Sequence, residues 1–285
     1  MQKSSAIEIR VLQRSDIAAA LQLKELARWN QTEQDWERLL HLEPVGCFCA
    51  TINGQVVGTS TTTRYGRELA WIGMVLVHPE YRRQGIGRRL MQTAVDYLRE
   101  REVTTIKLDA TQEGRPVYDG MGFNVESRVE RWQGSARVAG KSNCTLFSRS
   151  VLEGVLALDR DAFPADRSKL IEMLIADACV NPIVSAAGDS GLNGYALARR
   201  GSNATYIGPL IAKQQQYAEQ LLDGLLEQLT GQEVYVDVNA EFENGTEVLS
   251  KRGFVKQRDL DRMYYGSPGD STSSLVFAIA GPELG

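Results

Sequence analysis

The sequence predicts a mixed α/β fold of the α+β class built twice in tandem, each repeat a mostly antiparallel sheet with one parallel crossover and flanking helices. Three observations carry this prediction. A hairpin signal is followed by a strand, an amphipathic helix and a strand, and that succession implies a parallel crossover beside the hairpin. The same succession returns in the second half, where Gly253-Phe254 answers Gly122-Phe123 about one domain length later. A chain of 285 residues suits two domains of roughly 100 to 200 residues, each long enough to bury its own core.

In the first repeat, Ser15 is expected to cap a helical segment carrying Ile17, Leu21 and Leu23, and Thr32 opens a T-x-x-D pattern ahead of Trp36, Leu39 and Leu40. Two short helices joined near Trp29-Asn30-Gln31 follow. Gly46 to Ile52 and Gln55 to Thr63 flank Asn53-Gly54, a dipeptide that tolerates the left-handed conformation of a two-residue hairpin turn. Leu69 to Val77 reads as a buried strand, Ile86, Leu90, Met91, Ala94 and Leu98 recur at helical spacing, and Val103 to Ala110 alternates as a further strand. Gly134 to Ser142 is rich in Gly, Ser and Ala and is the expected domain boundary. Beyond it, Leu152 to Ala178 is helical, Pro182 to Arg199 is a strand pair broken by Gly188-Asp-Ser-Gly, and Ala204 to Ala212 is a strand. Tyr217 to Leu229 is a helix and Glu233 to Asn239 a strand.

Composition narrows the function classes. Hydrophobic residues make up 43% and charged residues 24%, which excludes disorder, collagen and coiled coil. A formal net charge of -4 lacks the basic excess that carries non-specific nucleic-acid binding, so no nucleic-acid partner is expected. No apolar run approaches the roughly 18 residues of a membrane span, and Met1 to Glu8 lacks a signal-peptide core, so a cytoplasmic protein without a membrane partner is expected. The four cysteines (Cys47, Cys49, Cys144, Cys179) are too scattered for a disulfide framework, and two histidines (His41, His78) complete no metal pattern. Cys47 and Cys49, two apart in an apolar stretch, read as small buried hydrophobes on one strand face.

The sharpest chemical signal runs from Val75 to Leu90, VLVHPEYRRQGIGRRL. An apolar strand enters a loop with Gly85 and Gly87, which opens directly into a helix whose first N–H groups lack intrahelical acceptors. Such a helix start attracts anions, and Arg83, Arg88 and Arg89 add charge around it. The bland alternative is a solvated helix start with turn glycines. A P-loop requires Gly-Lys-Ser/Thr after the glycines, and a dinucleotide fingerprint requires a third glycine and a later acidic residue; neither stands here.

Arg82-x-x-Gly85-x-Gly87 after a Val-x-Val-x-Pro strand resembles the acetyl-CoA pyrophosphate loop of the GNAT N-acyltransferase superfamily. The strand Val103 to Ala110 and Tyr118-x-x-x-Gly122-Phe123 are similar to that family's next strand and tyrosine-bearing helix, and the order of elements agrees from residue 8 to 133. The scattered cysteines and two histidines lead to the expectation of no metal, and the resemblance implies acetyl-CoA as cosubstrate. It implies that the backbone of Val75, Leu76 and Val77 pairs with the pantetheine arm and polarises the thioester carbonyl, and that Arg83, Gln84, Gly85, Ile86, Gly87 and Arg88 enclose the pyrophosphate. It makes Tyr118 the general acid for the leaving thiolate, against the alternative of a core aromatic. Thr111 stands where many members have an asparagine, a weaker partner for the cofactor arm.

The general base has no assignment from sequence: Asp109 and Glu113 lie near the expected site, Glu68 precedes the motif strand, and in many members of the family a water chain removes the amine proton. Asp109 is also a candidate for acceptor binding. Trp29, Asn30 and Gln31, with Asp35 and Trp36, fall where the family's first helices cover the acceptor site. Two readings stay open for them, an acceptor pocket or a capped turn whose tryptophans pack on the core. His78 reads as a structural residue at a strand end.

The second repeat lacks the glycine loop after Tyr206 to Ala212, and Leu249 stands at the tyrosine position. This half resembles the degenerate C-terminal GNAT-like domain of a two-domain bacterial acetyltransferase group, with Leu158 to Arg167 (LDRDAFPADR) matching a helix signature of that group and Pro164 in place of a more usual glycine. Asp166 and Arg167 are expected to form a helix-capping ion pair. The expected organisation is a catalytic, acetyl-CoA-binding domain over residues 1–140 and a degenerate domain over 141–285. The expected activity is acetyl transfer to a primary amine, on a small molecule or peptide, by direct attack in a ternary complex. The competing expectation is a non-catalytic acyl-CoA sensor or interaction protein.

Overall fold

Residues 6–137, 140, 142–186, 191–269 and 274–285 are described by a computed structural model. The first half opens with β1 (Glu8–Val11), α1 (Ile17–Leu26) and α2 (Glu33–Leu42). Ser15 does not cap α1: it lies inside a 3-10 turn (Arg14–Asp16), and the Asp16 carboxylate accepts the Gln13 N–H at 2.8 Å instead. Thr32 starts α2 as its pattern predicts, with the Asp35 carboxylate accepting the Thr32 N–H at 2.8 Å. β2 (Phe48–Ile52) and β3 (Gln55–Tyr65) form the hairpin, and Asn53 and Gly54 both take left-handed φ, 53° and 79°, as a two-residue turn of this hand requires. β4 (Leu69–Val77), α3 (Ile86–Arg99) and β5 (Thr105–Ala110) make the parallel crossover, and α4 (Arg115–Asp119) and β6 (Asn124–Ser135) follow.

The stretch expected as a boundary begins inside β6. Gly134 pairs with Val234, and a Cβ at this glycine would meet the Phe254 ring at 2.7 Å, so the residue is glycine for close packing and not for a linker. Residues 138, 139 and 141 of that stretch lie outside the described residues.

The second half contains β7 (Thr145–Leu146), α5 (Leu152–Ala162), α6 (Ser168–Ala176), β8 (Ile183–Ala186), β9 (Leu192–Arg199), β10 (Thr205–Ala212), α7 (Gln215–Gln228), β11 (Glu233–Asn239), α8 (Gly245–Ser250), β12 (Val255–Gly266) and β13 (Val276–Ala278). The helical stretch from Leu152 breaks at Phe163-Pro164, where proline lacks the N–H that would continue the ladder. Residues 188–190 of the expected strand break lie outside the described residues.

All thirteen strands form one mixed sheet among the described residues, in the order β1-β2-β3-β4-β5-β12-β6-β11-β13-β10-β9-β8-β7. The two halves exchange strands. β12 of the second half lies between β5 and β6 of the first, with Arg262 opposite Asp109, and β6 lies between β12 and β11, with Trp132 opposite Val236. The helices continue the fusion. α3 packs on one face of the first half through Leu90, Met91 and Ala94, and α7 does the same in the second through Leu221, Leu222 and Leu225. A third core is shared: Trp36, Leu39 and Trp71 of the first half pack in one cluster with Leu156, Leu170 and Tyr195 of the second. Each half thus has a cluster of its own, and a third cluster joins them. Cys47 and Cys49 belong to this shared cluster, both buried. No helix among the described residues is long and apolar enough to cross a membrane.

Candidate active site

β4 and β5 pair only from Leu69 to Trp71 against Thr105 to Lys107. Beyond that point they part, because β4 is bulged: its register against β3 shifts between Thr59 and Thr61, Met74 takes a left-handed φ of 49°, and the Thr59 hydroxyl donates to the Met74 carbonyl at 2.8 Å. On the side facing β5, Val75, Leu76 and Val77 have no strand partner, and they form one wall of a cavity of about 1060 Å³.

The loop after β4 closes one end of this cavity. His78 has a structural task, its Nδ1 accepting the Glu80 N–H at 3.3 Å. Gly85 caps α3 with a left-handed φ of 78°, which favours glycine, and the first helical bond runs from Arg89 N to Gly85 O at 3.0 Å. The N–H groups of Gly85, Ile86, Gly87 and Arg88 therefore find no backbone acceptor among the described residues. A Cβ on Gly85 would touch nothing, and one on Gly87 would meet only Val77 at 3.7 Å, so the space in front of these donors is open. Arg82 is engaged with Glu113 and the Val77 carbonyl, and Arg89 with the Ile7 carbonyl. Arg83 and Arg88 line the cavity with no ion-pair partner among the described residues. Gln84 is the one expected loop residue that does not line it.

Facing this loop, Thr111 accepts the Gly114 N–H on its Oγ1 at 3.2 Å, fixing the turn into α4. α4 carries Tyr118, which lines the cavity and packs near Phe123 with ring centroids 6.1 Å apart. Its hydroxyl has no hydrogen-bond partner among the described residues, and burial pushes its pKa well above the usual phenol value. The phenol stays protonated at neutral pH.

Three of the expected acceptor residues are engaged by other parts of the chain. Asn30 does not line the cavity: its Nδ2 donates to the Ala204 carbonyl at 2.9 Å and its Oδ1 accepts the N–H groups of Asn203 and Ala204 at 2.9 and 3.0 Å. That amide clamps the two halves together. Asp109 is held by Arg262 in a two-pronged ion pair at 2.8 and 2.9 Å, with both side chains 0% exposed. Burial pushes its pKa up and the guanidinium opposes the shift, and the residue lines the cavity. Gln31 does line the cavity, but its Nε2 donates to Glu283 Oε2 at 2.8 Å, leaving Gln31 Oε1 buried without a partner. Trp29 lines the cavity. Trp36 is core.

Glu283 is the acidic residue that sequence reading missed. It arrives on the last segment of the chain. β10 and β11 of the second half also part after a short parallel stretch, Thr205 to Ile207 against Val234 to Val236, but β13 fills the gap, with Leu210 opposite Ala278 and Val238 opposite the same Ala278. The crevice that stays open in the first half is thus occupied in the second by the chain itself. The segment then crosses to the first half. Trp71 Nε1 donates to the Pro282 carbonyl at 3.0 Å, Tyr65 Oη to the Leu284 carbonyl at 2.6 Å, and Arg167 Nη1 to the Gly285 carbonyl at 2.9 Å. The expected Asp166–Arg167 ion pair is absent among the described contacts: Arg167 pairs with Asp159 at 3.0 Å, and Asp166 caps α6 by accepting the Ser168 N–H at 2.8 Å.

Glu283 lies over Gly73 of β4, where an added Cβ would meet its Cα at 2.7 Å, and it lines the cavity. Arg199 stands between two carboxylates, 3.2 Å from Glu283 Oε1 and 3.2 Å from Asp35 Oδ1, while Asp35 has Arg38 as a second partner at 2.6 Å. Asp35 is therefore held low, and burial raises Glu283 above the ordinary carboxyl value.

The sequence matches the acetyltransferase (GNAT) family over residues 14–123 and the acetyltransferase (GNAT) domain over residues 155–278. It is 27% identical to the uncharacterized N-acetyltransferase YitH of Bacillus subtilis (strain 168), over 98% of each chain. It is 26% identical to the holothin acyltransferase of Pseudoalteromonas sp. (strain SANK 73390), over 90% of this chain and 87% of that one. A crystal structure from Pyrococcus horikoshii superposes with a TM-score of 0.85 at 22% identity, over 98% of this chain and 96% of that one.

Proposed function

Because the chain belongs to the GNAT acetyltransferase family, with one GNAT unit in each half, we propose that it acetylates a primary amine at a single acetyl-CoA site in the first half. The observation that carries this reading is the pairing of an open β4–β5 crevice with unpartnered N–H groups at the start of α3. A cradle of open space at Gly87 between two unpaired arginines suits a pyrophosphate, so the residues present fit acetyl-CoA. When bound, acetyl-CoA supplies an acyl group activated as a thioester.

The rest of the task falls to the chain. N–H groups of Gly85 to Arg88, with Arg83 and Arg88, hold the diphosphate. Backbone groups of Val75 to Val77 orient the pantetheine arm and donate toward the carbonyl oxygen, an electrostatic contribution that needs no rearrangement. Tyr118 Oη keeps its proton and gives it to the sulfur, and Glu283, a cavity carboxyl whose affinity for a proton is raised, takes the proton from the amine nitrogen. Direct transfer follows, with no covalent acetyl-enzyme.

Thiol release from acetyl-CoA, measured against a panel of amines, tests the reading. The expected result is release that depends on the amine, and a Glu283→Gln protein that still binds acetyl-CoA but turns over roughly 100- to 10,000-fold more slowly. Tight acetyl-CoA binding without amine-dependent release across the panel would favour an acyl-CoA sensor instead.

A further inference from the structure

Of the cations that line the cavity, Arg258 is the one that neither acetyl-CoA nor an internal carboxylate accounts for. Arg82 is engaged with Glu113, Arg131 is held by Asp237 through two hydrogen bonds, Lys256 pairs with Glu130 and Asp259, and Arg83 and Arg88 belong to the diphosphate loop. Arg258 lines the cavity with no ion pair among the described residues, and its Nε is buried without a hydrogen-bond partner. It sits directly opposite Arg131 in the β12–β6 ladder, beside a register shift between Lys256 and Arg258. A bulge of this kind re-aims a side chain, and facing like charges across a ladder destabilise it. Burial and the nearby Arg131 pull its pKa down from the usual guanidinium value, and the charge of Asp237 opposes that shift. A half-buried guanidinium with no ion pair of its own among the described residues, on a cavity wall, is a favourable place for an anion to bind.

Its place in the fold says which anion. Asp261 pairs with Ala110, the last residue of β5, so Arg258 lies on the part of β12 that runs past the end of β5. It stands opposite Arg131, which feels the charge of Glu283, so it belongs to the part of the cavity that the second half supplies. We propose that Arg258 binds an anionic group on the acceptor, so that the acceptor is an amine that also carries a carboxylate or a phosphate. Both anions match the planar fork of a guanidinium. The inference rests on the acetyl-transfer reading of the cavity and adds the substrate class to it.

Calorimetric titration of the CoA-saturated protein tests it, because CoA fills the diphosphate loop and leaves Arg258 as the open cation. Inorganic phosphate and acetate are the probes. At least one is expected to bind the wild-type complex in the millimolar range, and at least tenfold more weakly to Arg258→Gln. Binding of phosphate alone points to a phosphorylated amine, and binding of acetate alone to an amino acid or peptide. Arg258→Lys is expected to retain part of the affinity, and Arg258→Gln to melt within about a degree or two of wild type in the free state, since Arg258 has no ion pair among the described residues to lose. Equal anion binding by wild type and Arg258→Gln, or a Tm several degrees lower for Arg258→Gln with Arg258→Lys restoring stability but not anion binding, would overturn the inference. Failure of CoA itself to bind would instead overturn the acetyltransferase reading.

Discussion

Tyr118 and Glu283 lie in one cavity but differ in how readable they are. Tyr118 sits in a spaced pattern with Gly122-Phe123, and its placement on the cavity wall agrees with that pattern. Glu283 sits in a Gly-Pro-Glu-Leu-Gly tail with no local signature, and only the fold brings it over Gly73. Arg258 is hidden for the same reason. Asn30 misled in the opposite direction: an amide near the expected acceptor site is consumed by backbone groups of residues 203 and 204, far along the chain. At this scale the sharpest test removes one oxygen. Tyr118→Phe keeps the ring and its packing, so the acetyl-CoA dissociation constant should stay nearly unchanged while turnover falls roughly ten- to ten-thousand-fold. The measurement is turnover at saturating acetyl-CoA on a verified amine; unchanged turnover would leave water as the proton donor.

Among the elements, runs of buried residues were legible and half-exposed strands were not. Leu69–Val77 has the ends expected of it because nearly every residue in it is apolar and buried, and Glu233–Asn239 because Val234, Val236 and Val238 alternate with polar or aromatic residues. β6 and β12 went unread because charged residues recur along them (NVESRVER, VKQRDLDR), and their strand character comes from pairing with each other across the two halves. β13 is three residues long, too short for any periodicity to speak. The contact between β4 and the final segment is the element most open to test. A side chain at Gly73 would collide with the Glu283 backbone, which cannot rotate away as a flexible side chain would. Gly73→Val should therefore destabilise the protein by about 1–3 kcal/mol in denaturant unfolding, and raise KM for the amine far more than the dissociation constant for acetyl-CoA. An effect confined to acetyl-CoA binding would mean that the segment does not border the acceptor site.

For the molecule as a whole, duplication supplied two crevices and the chain kept one open. The duplication was visible in the repeated order of elements, and the loss of the second glycine loop was visible in Lys213 to Ala218. What sequence spacing does not reveal is the exchange of β6 and β12, the shared core around Trp36 and Trp71, and the filling of the β10–β11 gap by β13, since all three depend on pairings between distant residues. These features convert the second half from a failed copy into the support that delivers Glu283 and Arg258 to the first. The central claim is that one acetyl-CoA site operates per chain, at the start of α3. Calorimetric titration with acetyl-CoA measures it directly: wild type should bind one molecule per chain, and Gly87→Glu should bind none, because a carboxylate would then stand in the open space before the loop's N–H groups. A stoichiometry near two, or full binding by Gly87→Glu, would contradict the account.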